Sequence, residues 1–354
     1  MKNIRAGVGL DIGTTTVQAQ LINLDTGESL ESISVLNVQR EFGTDVMSRI
    51  AYARNGGLQE LFISINKQVQ TILQQFIQKY NLSGIDRCTV SGNTTMLHMF
   101  INVDPSAIGE APYTPEFLEE RHFNGSDLSL LAEQIDLLPG ISAFVGADIA
   151  AGLTYLDVIN SRGNILFVDI GTNGEIAVWK GKENRLLCCS TAAGPCFESD
   201  SITYGSDLID AIAQMRRQGK IDETGAMTAN DTDSGFVTQE IVRRFQLAKS
   251  AIYSGISVLC RTSGIDPAAF DKVYIAGGMG FYINLENAAE IGLLPKEIVK
   301  GAQVCGNTSL KGAVQALTDR SFLQKCKEIA ACAGIIDLAV DREFAEAYIE
   351  NMQL

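Results

Sequence analysis

Two stretches of the 354-residue chain carry an acidic residue followed by Ile-Gly-Thr at the end of an apolar run. They read "VGLDIGTTTVQAQL" at 8–21 and "LFVDIGTNGEIAVW" at 166–179. Glycine lets a strand reverse tightly. The turn that follows presents successive backbone N–H groups and hydroxyls, which together form an anion cradle. A carboxylate at the strand's end cannot hold phosphate itself, but it can hold Mg²⁺ and its waters, which neutralise phosphate charge. Gly13, Thr14, Thr15 and Thr16, and Gly171, Thr172, Asn173 and Gly174, are therefore candidate phosphate-binding residues. Asp11 and Asp169 are the candidate catalytic and metal-holding carboxylates. Two such loops acting on one triphosphate would clamp it from both sides.

The elements that must position these loops occur twice. Residues 7–14 and 17–24 alternate apolar and polar, and "SLESISVLNVQ" supplies a third strand, so a meander is expected. A helix over about 57–81 follows, with Leu58, Leu61, Phe62, Ile65, Val69, Ile72, Leu73 and Phe76 on one face. "RCTVSGNTTMLHMF" and "ISAFVGADIAAGLTYLDV" then read as strand, glycine turn, helix. In the second half, strands over 165–170, 175–180 and 185–191 repeat the meander, and a long helix is expected near 237–262. "DKVYIAGGMGFYIN" and "AQVCGNTSLKGAVQALTD" repeat the strand–turn–helix pair. The order matches throughout, apart from a polar insertion within 197–240. The chain is an internal duplication.

The bulk numbers narrow the functions. A net charge of −14 repels polyanions, so no nucleic-acid partner is expected. No apolar run is long enough to span a bilayer and no leader is visible, so a soluble, cytoplasmic protein is expected. The eight cysteines form no C-x-x-C pair and no iron–sulfur spacing, and most lie among apolar neighbours. They read as reduced structural thiols.

Several further residues have two readings. Asp148, in "VGADIAAG", is either a helix N-cap or a carboxylate that positions water or Mg²⁺. Lys249, in "RRFQLAKSAIYSGI", is either a solvated lysine off the face made by Phe245, Ala248, Ile252 and Leu259 or an adenosine contact. Glu198, in "AAGPCFESDS", is a plain loop residue or a nucleotide contact. Gly277 and Gly278, in "IAGGMG", sit where a flat base or ribose could approach the backbone closely. His98 reads as a buried or helix-surface side chain and His122 as a solvated one.

The motif order resembles the superfamily of actin, Hsp70 chaperones and sugar kinases. Its phosphate 1, connect 1, phosphate 2, adenosine and connect 2 elements would fall at 11–16, 145–155, 169–175, 275–280 and 306–317. The resemblance implies an α/β, two-lobed, duplicated ribonuclease-H-like fold. Lobe I is expected over 1–160, completed by 315–354, and lobe II over 161–314. Longer phrases, among them "GNTTMLHMFINVDPSAIGEAPYTPEF", "LLPGISAFVGADIAAGL", "CSTAAGPCFES", "QLAKSAIYSGI" and "AGGMGFYINLENAAEIGLLP", resemble the ATPase portion of the reductive activators of corrinoid proteins. Ser199 departs from that pattern, where a glycine is expected. The resemblance implies ATP and Mg²⁺ as cofactors and a corrinoid protein as partner, whose Co(II) is returned to Co(I). It assigns Asp11 and Asp169 to hydrated Mg²⁺ and Asp148 to the attacking water. It places Glu198, Lys249, Gly277 and Gly278 at the nucleotide. Family members also carry an iron–sulfur domain. No cluster is expected within these residues, so the electron comes from a separate low-potential donor or from a part of a longer protein. A homodimer is an open expectation. Two other functions fit the same superfamily: a small-molecule kinase with Asp148 as base, and a non-catalytic nucleotide-dependent scaffold.

Overall fold

A computed structural model describes residues 4–194, 196, 205–228, 236–278 and 283–354. The first series of elements is β1 (Ala6–Ile12), β2 (Thr16–Asn23), β3 (Ser29–Leu36), α1 (Val46–Tyr52), α2 (Leu58–Tyr80), β4 (Ile85–Gly92), α3 (Thr94–Phe100), β5 (Arg121–Asn124), β6 (Ala132–Leu137) and α4 (Ala147–Tyr155). The second begins β7 (Asn164–Ile170), β8 (Gly174–Lys180), β9 (Arg185–Thr191), α5 (Gly205–Arg217), α6 (Gln239–Ser263) and β10 (Lys272–Ala276). It continues with α7 (Leu285–Glu290), α8 (Lys296–Val299), β11 (Ala302–Gly306), α9 (Thr308–Thr318), α10 (Phe322–Ala331), β12 (Ala333–Ile335) and α11 (Arg342–Glu350).

The sheets carry the duplication. One has the order β3-β2-β1-β4-β6-β5, the other β11-β10-β7-β8-β9-β12. In each, an antiparallel three-strand meander is extended beside its first strand by parallel strands, β4 and β6 in one and β10 and β11 in the other. Five strands therefore correspond, and β5 and β12 are additions at the edges. Parallel neighbours require crossover connections, and the helical stretches foreseen from 3.6-residue periodicity supply them. α2 buries Leu61, Ile65, Val69, Ile72, Leu73 and Phe76 in the core around β1.

The chain divides into a first unit, residues 1–159 with 308–331, and a second, 160–307 with 332–354. Residues 332–354 were expected in the first unit but pack in the second. β9 would otherwise present an open edge, and β12 pairs with it in parallel. α11 lies on α6, where Arg261 pairs with Asp341 at 2.7 Å. The segment that does complete the first unit begins at Thr308, not at 315. α9 reaches β1 because Gly9 has no side chain: a Cβ there would lie 2.6 Å from Val314 Cγ2.

Candidate functional site

β1 is buried at every position except Asp11, its penultimate residue, and β7 likewise leaves Asp169, at the same place, only half-buried. Each chain reversal then starts two residues later, at the glycine. In the first unit Gly13 N–H donates to Thr16 O at 2.9 Å, and in the second Gly171 N–H donates to Asn173 O at 3.0 Å. The turns differ by one residue. Strand pairing closes at Ile12 opposite Val17 in one and at Ile170 opposite Gly174 in the other.

In the first unit three elements converge on Asp11. Parallel pairing places Ser91 of β4 beside it. Ser309, at the start of α9, donates to Asp11 Oδ1 at 2.7 Å. That uses its single proton, so the 2.9 Å contact between Ser309 Oγ and Ser91 Oγ has Ser91 as donor. Asn93 caps α3 through its Oδ1 and donates from Nδ2 to Thr14 Oγ1 at 2.9 Å, which ties the turn to the end of β4. Asp148 is the second residue of α4. Gly146 occupies the cap position, so the capping reading is set aside. Asp148 Oδ1 accepts from Ile149 N–H at 2.9 Å. Burial, and then the negative charge of Asp11, push the Asp148 carboxyl well above the ordinary carboxylate range.

In the second unit β10 runs parallel to β7, with Ala276 paired to Asp169. Gly277 follows at φ +102°, and a Cβ there would lie 2.7 Å from Asp169 Oδ1 and run into Ile170 O. Only glycine fits that position. Gly278 has open space where a side chain would be. Thr191, at the end of β9, is buried, and its Oγ1 has no hydrogen-bond partner among the described residues. It abuts Gly174, at 2.7 Å from the position of a Cβ there.

Lys249 is not the solvated residue that its place off the apolar face allowed. It is 2% exposed, and Nζ donates to Gln353 O in the C-terminal segment. Burial lowers its pKa to about 8. Glu198 lies outside the described residues. His98 is buried and His122 is exposed, paired with Asp136 at 2.7 Å. All eight cysteines are free thiols, seven of them buried. No helix among the described residues is long and apolar enough to cross a membrane. Ser91, Asn93, Thr191 and Ser309 were not among the residues singled out in the sequence. Their one sequence signal was position, next to a glycine turn or at a strand end.

A duplicated sheet of this topology, with an Asp-Ile-Gly-Thr turn after the first strand of each copy, defines an actin-like ATPase fold. Known proteins agree with this. Residues 6–161 match the RACo middle region, and residues 163–207 and 203–354 match the C-terminal domain of RACo, the ASKHA domain. The chain belongs to this family of reductive activators. It is 31% identical to the corrinoid activation enzyme RamQ of Eubacterium limosum over 98% of this chain and 70% of that protein. It is 25% identical to the [Co(II) methylated amine-specific corrinoid protein] reductase of Methanosarcina barkeri over 97% and 76%. A solved reductive activator for corrinoid, iron–sulfur protein superposes with a TM-score of 0.91 at 29% identity, covering all of this chain and 67% of that one.

Proposed function

We propose that this chain is an ATPase that assists the reduction of a corrinoid protein from Co(II) to Co(I). The observation that carries the reading is the match to reductive activators along nearly the whole chain, joined to a carboxylate and a glycine turn at the same place in each unit. One electron from a separate low-potential donor reduces the cobalt. Hydrolysis of ATP supplies the free energy that shifts the conformation in which the corrinoid partner is bound.

Mg²⁺, when bound, would screen the phosphate oxygens and hold the waters around them. The residues fit such an ion. The charge of Asp11 raises the neighbouring Asp148 carboxyl, a repulsion that a divalent cation relieves. No group of three or more His, Cys, Asp or Glu that could hold a metal gathers among the described residues, so the ion would take most of its ligands from phosphate and water. Asp11 in the first unit and Asp169 in the second are each a carboxylate that could hold hydrated Mg²⁺. The turns at 13–16 and 171–174 would bind phosphate oxygens. Asp148 would orient the attacking water. Gly277 and Gly278 leave the end of β10 bare for the nucleoside.

The test is cobalt absorption spectroscopy with a corrinoid protein, an artificial low-potential donor and this chain. Co(I) is expected to accumulate with ATP and not with a non-hydrolysable analogue. Equal Co(I) with and without ATP would remove the reading.

A further inference from the structure

Arg49 is the largest charged side chain among the described residues to be completely buried. It sits in α1, whose first turn is fixed by a capping box. Ser48 N–H donates to Asp45 Oδ1 at 2.8 Å, and Asp45 N–H donates to Ser48 Oγ at 3.2 Å. The guanidinium is held in several directions. Nε donates to Gly43 O at 2.9 Å, NH1 lies 3.1 Å from Met96 Sδ, and NH2 donates to Thr14 O at 2.5 Å. Thr14 lies in the first Asp-Ile-Gly-Thr turn.

The same turn is gripped at two neighbouring carbonyls. Asn37, also fully buried, donates from Nδ2 to Gly13 O and from its backbone N–H to Thr15 O, both at 2.8 Å. Three successive carbonyls are thus bound by two buried residues. In a planar trans peptide the C=O and the following N–H point in opposite directions. Fixing Gly13 O and Thr14 O therefore fixes the N–H groups of Thr14 and Thr15, and turns them to the face away from Asn37 and Arg49. Successive N–H groups on one face make an anion nest, with the guanidinium charge behind it.

We infer that Arg49, together with Asn37, is a positioning residue that sets the first turn so that the Thr14 and Thr15 amides meet phosphate. The inference rests on the reading of this turn as phosphate-binding. The planar fork matters because Nε and NH2 reach Gly43 O and Thr14 O from two fixed points, whereas lysine keeps the charge but gathers its donors on one nitrogen.

The test compares the full chain with Arg49→Lys and with a second variant, Asn37→Ala, which takes away the Nδ2 donor to Gly13 O and the Oδ1 acceptor of Gln39 N–H and adds no charge. Two quantities are read: amide hydrogen exchange of the peptide spanning residues 13–16, and the dissociation constant for Mg-ATP. In the apo protein, faster exchange of this peptide is expected in both variants. With Mg-ATP, protection is expected in the wild type and little in the variants, with affinity weakened about tenfold or more. If Arg49→Lys does not fold, Asn37→Ala decides alone. Unchanged apo exchange together with unchanged ATP affinity in the folded variants overturns the inference. A wild type that binds no ATP instead overturns the phosphate reading, and the apo exchange still decides whether Arg49 holds the turn.

Discussion

Ser309 Oγ donates to Asp11 Oδ1 at 2.7 Å across 298 positions of sequence. The contact exists because α9 returns to the first unit and lies against Gly9 of β1. A hydroxyl bonded to a carboxylate fixes the carboxylate's orientation and favours its charged form. Ser309→Ala removes the bond and leaves Ser91 without its acceptor. The expected outcome is a Mg²⁺ requirement for ATP hydrolysis raised about tenfold, from a loss of about 1.5 kcal/mol, with kcat at saturating Mg²⁺ nearly preserved. A Mg²⁺ titration of ATPase activity checks it, and an unchanged midpoint would show that the bond is only structural.

Asp148→Asn separates chemistry from stability. The wild-type carboxyl is raised by burial and by Asp11, so its ionised form is disfavoured in the folded protein. The amide removes that repulsion and can still accept from Ile149 N–H. Thermal unfolding is therefore expected at the same or a higher temperature. If Asp148 orients the attacking water, kcat falls by about 10²–10⁴ while ATP affinity holds. Calorimetry and single-turnover hydrolysis give the two readings, and undiminished turnover would return Asp148 to a structural role.

Much of the fold could be read from the sequence because the signals were periodic. The apolar runs of β1 and β7, the alternation of the meanders and the stripe on α2 each follow from local rules, and their repetition identified the duplication. The candidate site could be proposed from the sequence where its residues sat together in one turn, as at Gly13–Thr16. It was not legible where a partner came from far away. Nothing near Ser309 points to Asp11, nothing near Arg49 points to Thr14, and nothing in "AKSAIYSG" points to Gln353. The pairing of β12 with β9 was hidden for the same reason: a three-residue strand carries too little pattern to show which edge it covers.

His98 gives a pH test of the first unit. Its ring is buried and stacked on Phe117, with centroids 4.2 Å apart. Nε2 accepts from Glu116 N–H at 3.1 Å, so Nδ1 carries the proton and donates to Thr94 O at 2.7 Å. The pKa is lowered from 6.5, chiefly by burial; Glu116 and Glu119 oppose the shift and Arg121 adds to it. The unfolded chain therefore binds more protons between the folded-state pKa and 6.5, and stability falls as pH drops through that window. His98→Gln is expected to be less stable at pH 7, by about 1–3 kcal/mol for a mispaired buried amide, but to lose this part of the acid slope. Denaturant unfolding from about pH 7.5 to about 4.5 in both proteins checks it, and parallel slopes would contradict it.

Lys249 gives the complementary test at alkaline pH in the second unit. Its ammonium is buried and bound to Gln353 O, beside a row of anchors that hold the C-terminal segment on and around α6. Gln246 Nε2 donates to Met352 O at 2.7 Å, Ser250 Oγ donates to Tyr348 O, and Arg216 NH2 donates to Leu354 O at 3.1 Å. Burial lowers the Lys249 pKa from 10.5 to about 8. Between those values the unfolded chain holds a proton that the folded chain has lost, so this residue adds stability as pH rises from about 8 to about 10.5. Lys249→Met removes the buried charge and flattens that part of the profile. It also frees the end of the chain, so amide exchange of residues 351–354 is expected to quicken. If Lys249 gives up Gln353 O to contact adenosine, ATP would quicken exchange of the same four residues in the wild type. Exchange of 351–354 that ATP leaves unchanged, with unaltered ATP affinity in Lys249→Met, would make Lys249 an anchor of the C-terminal segment and nothing more.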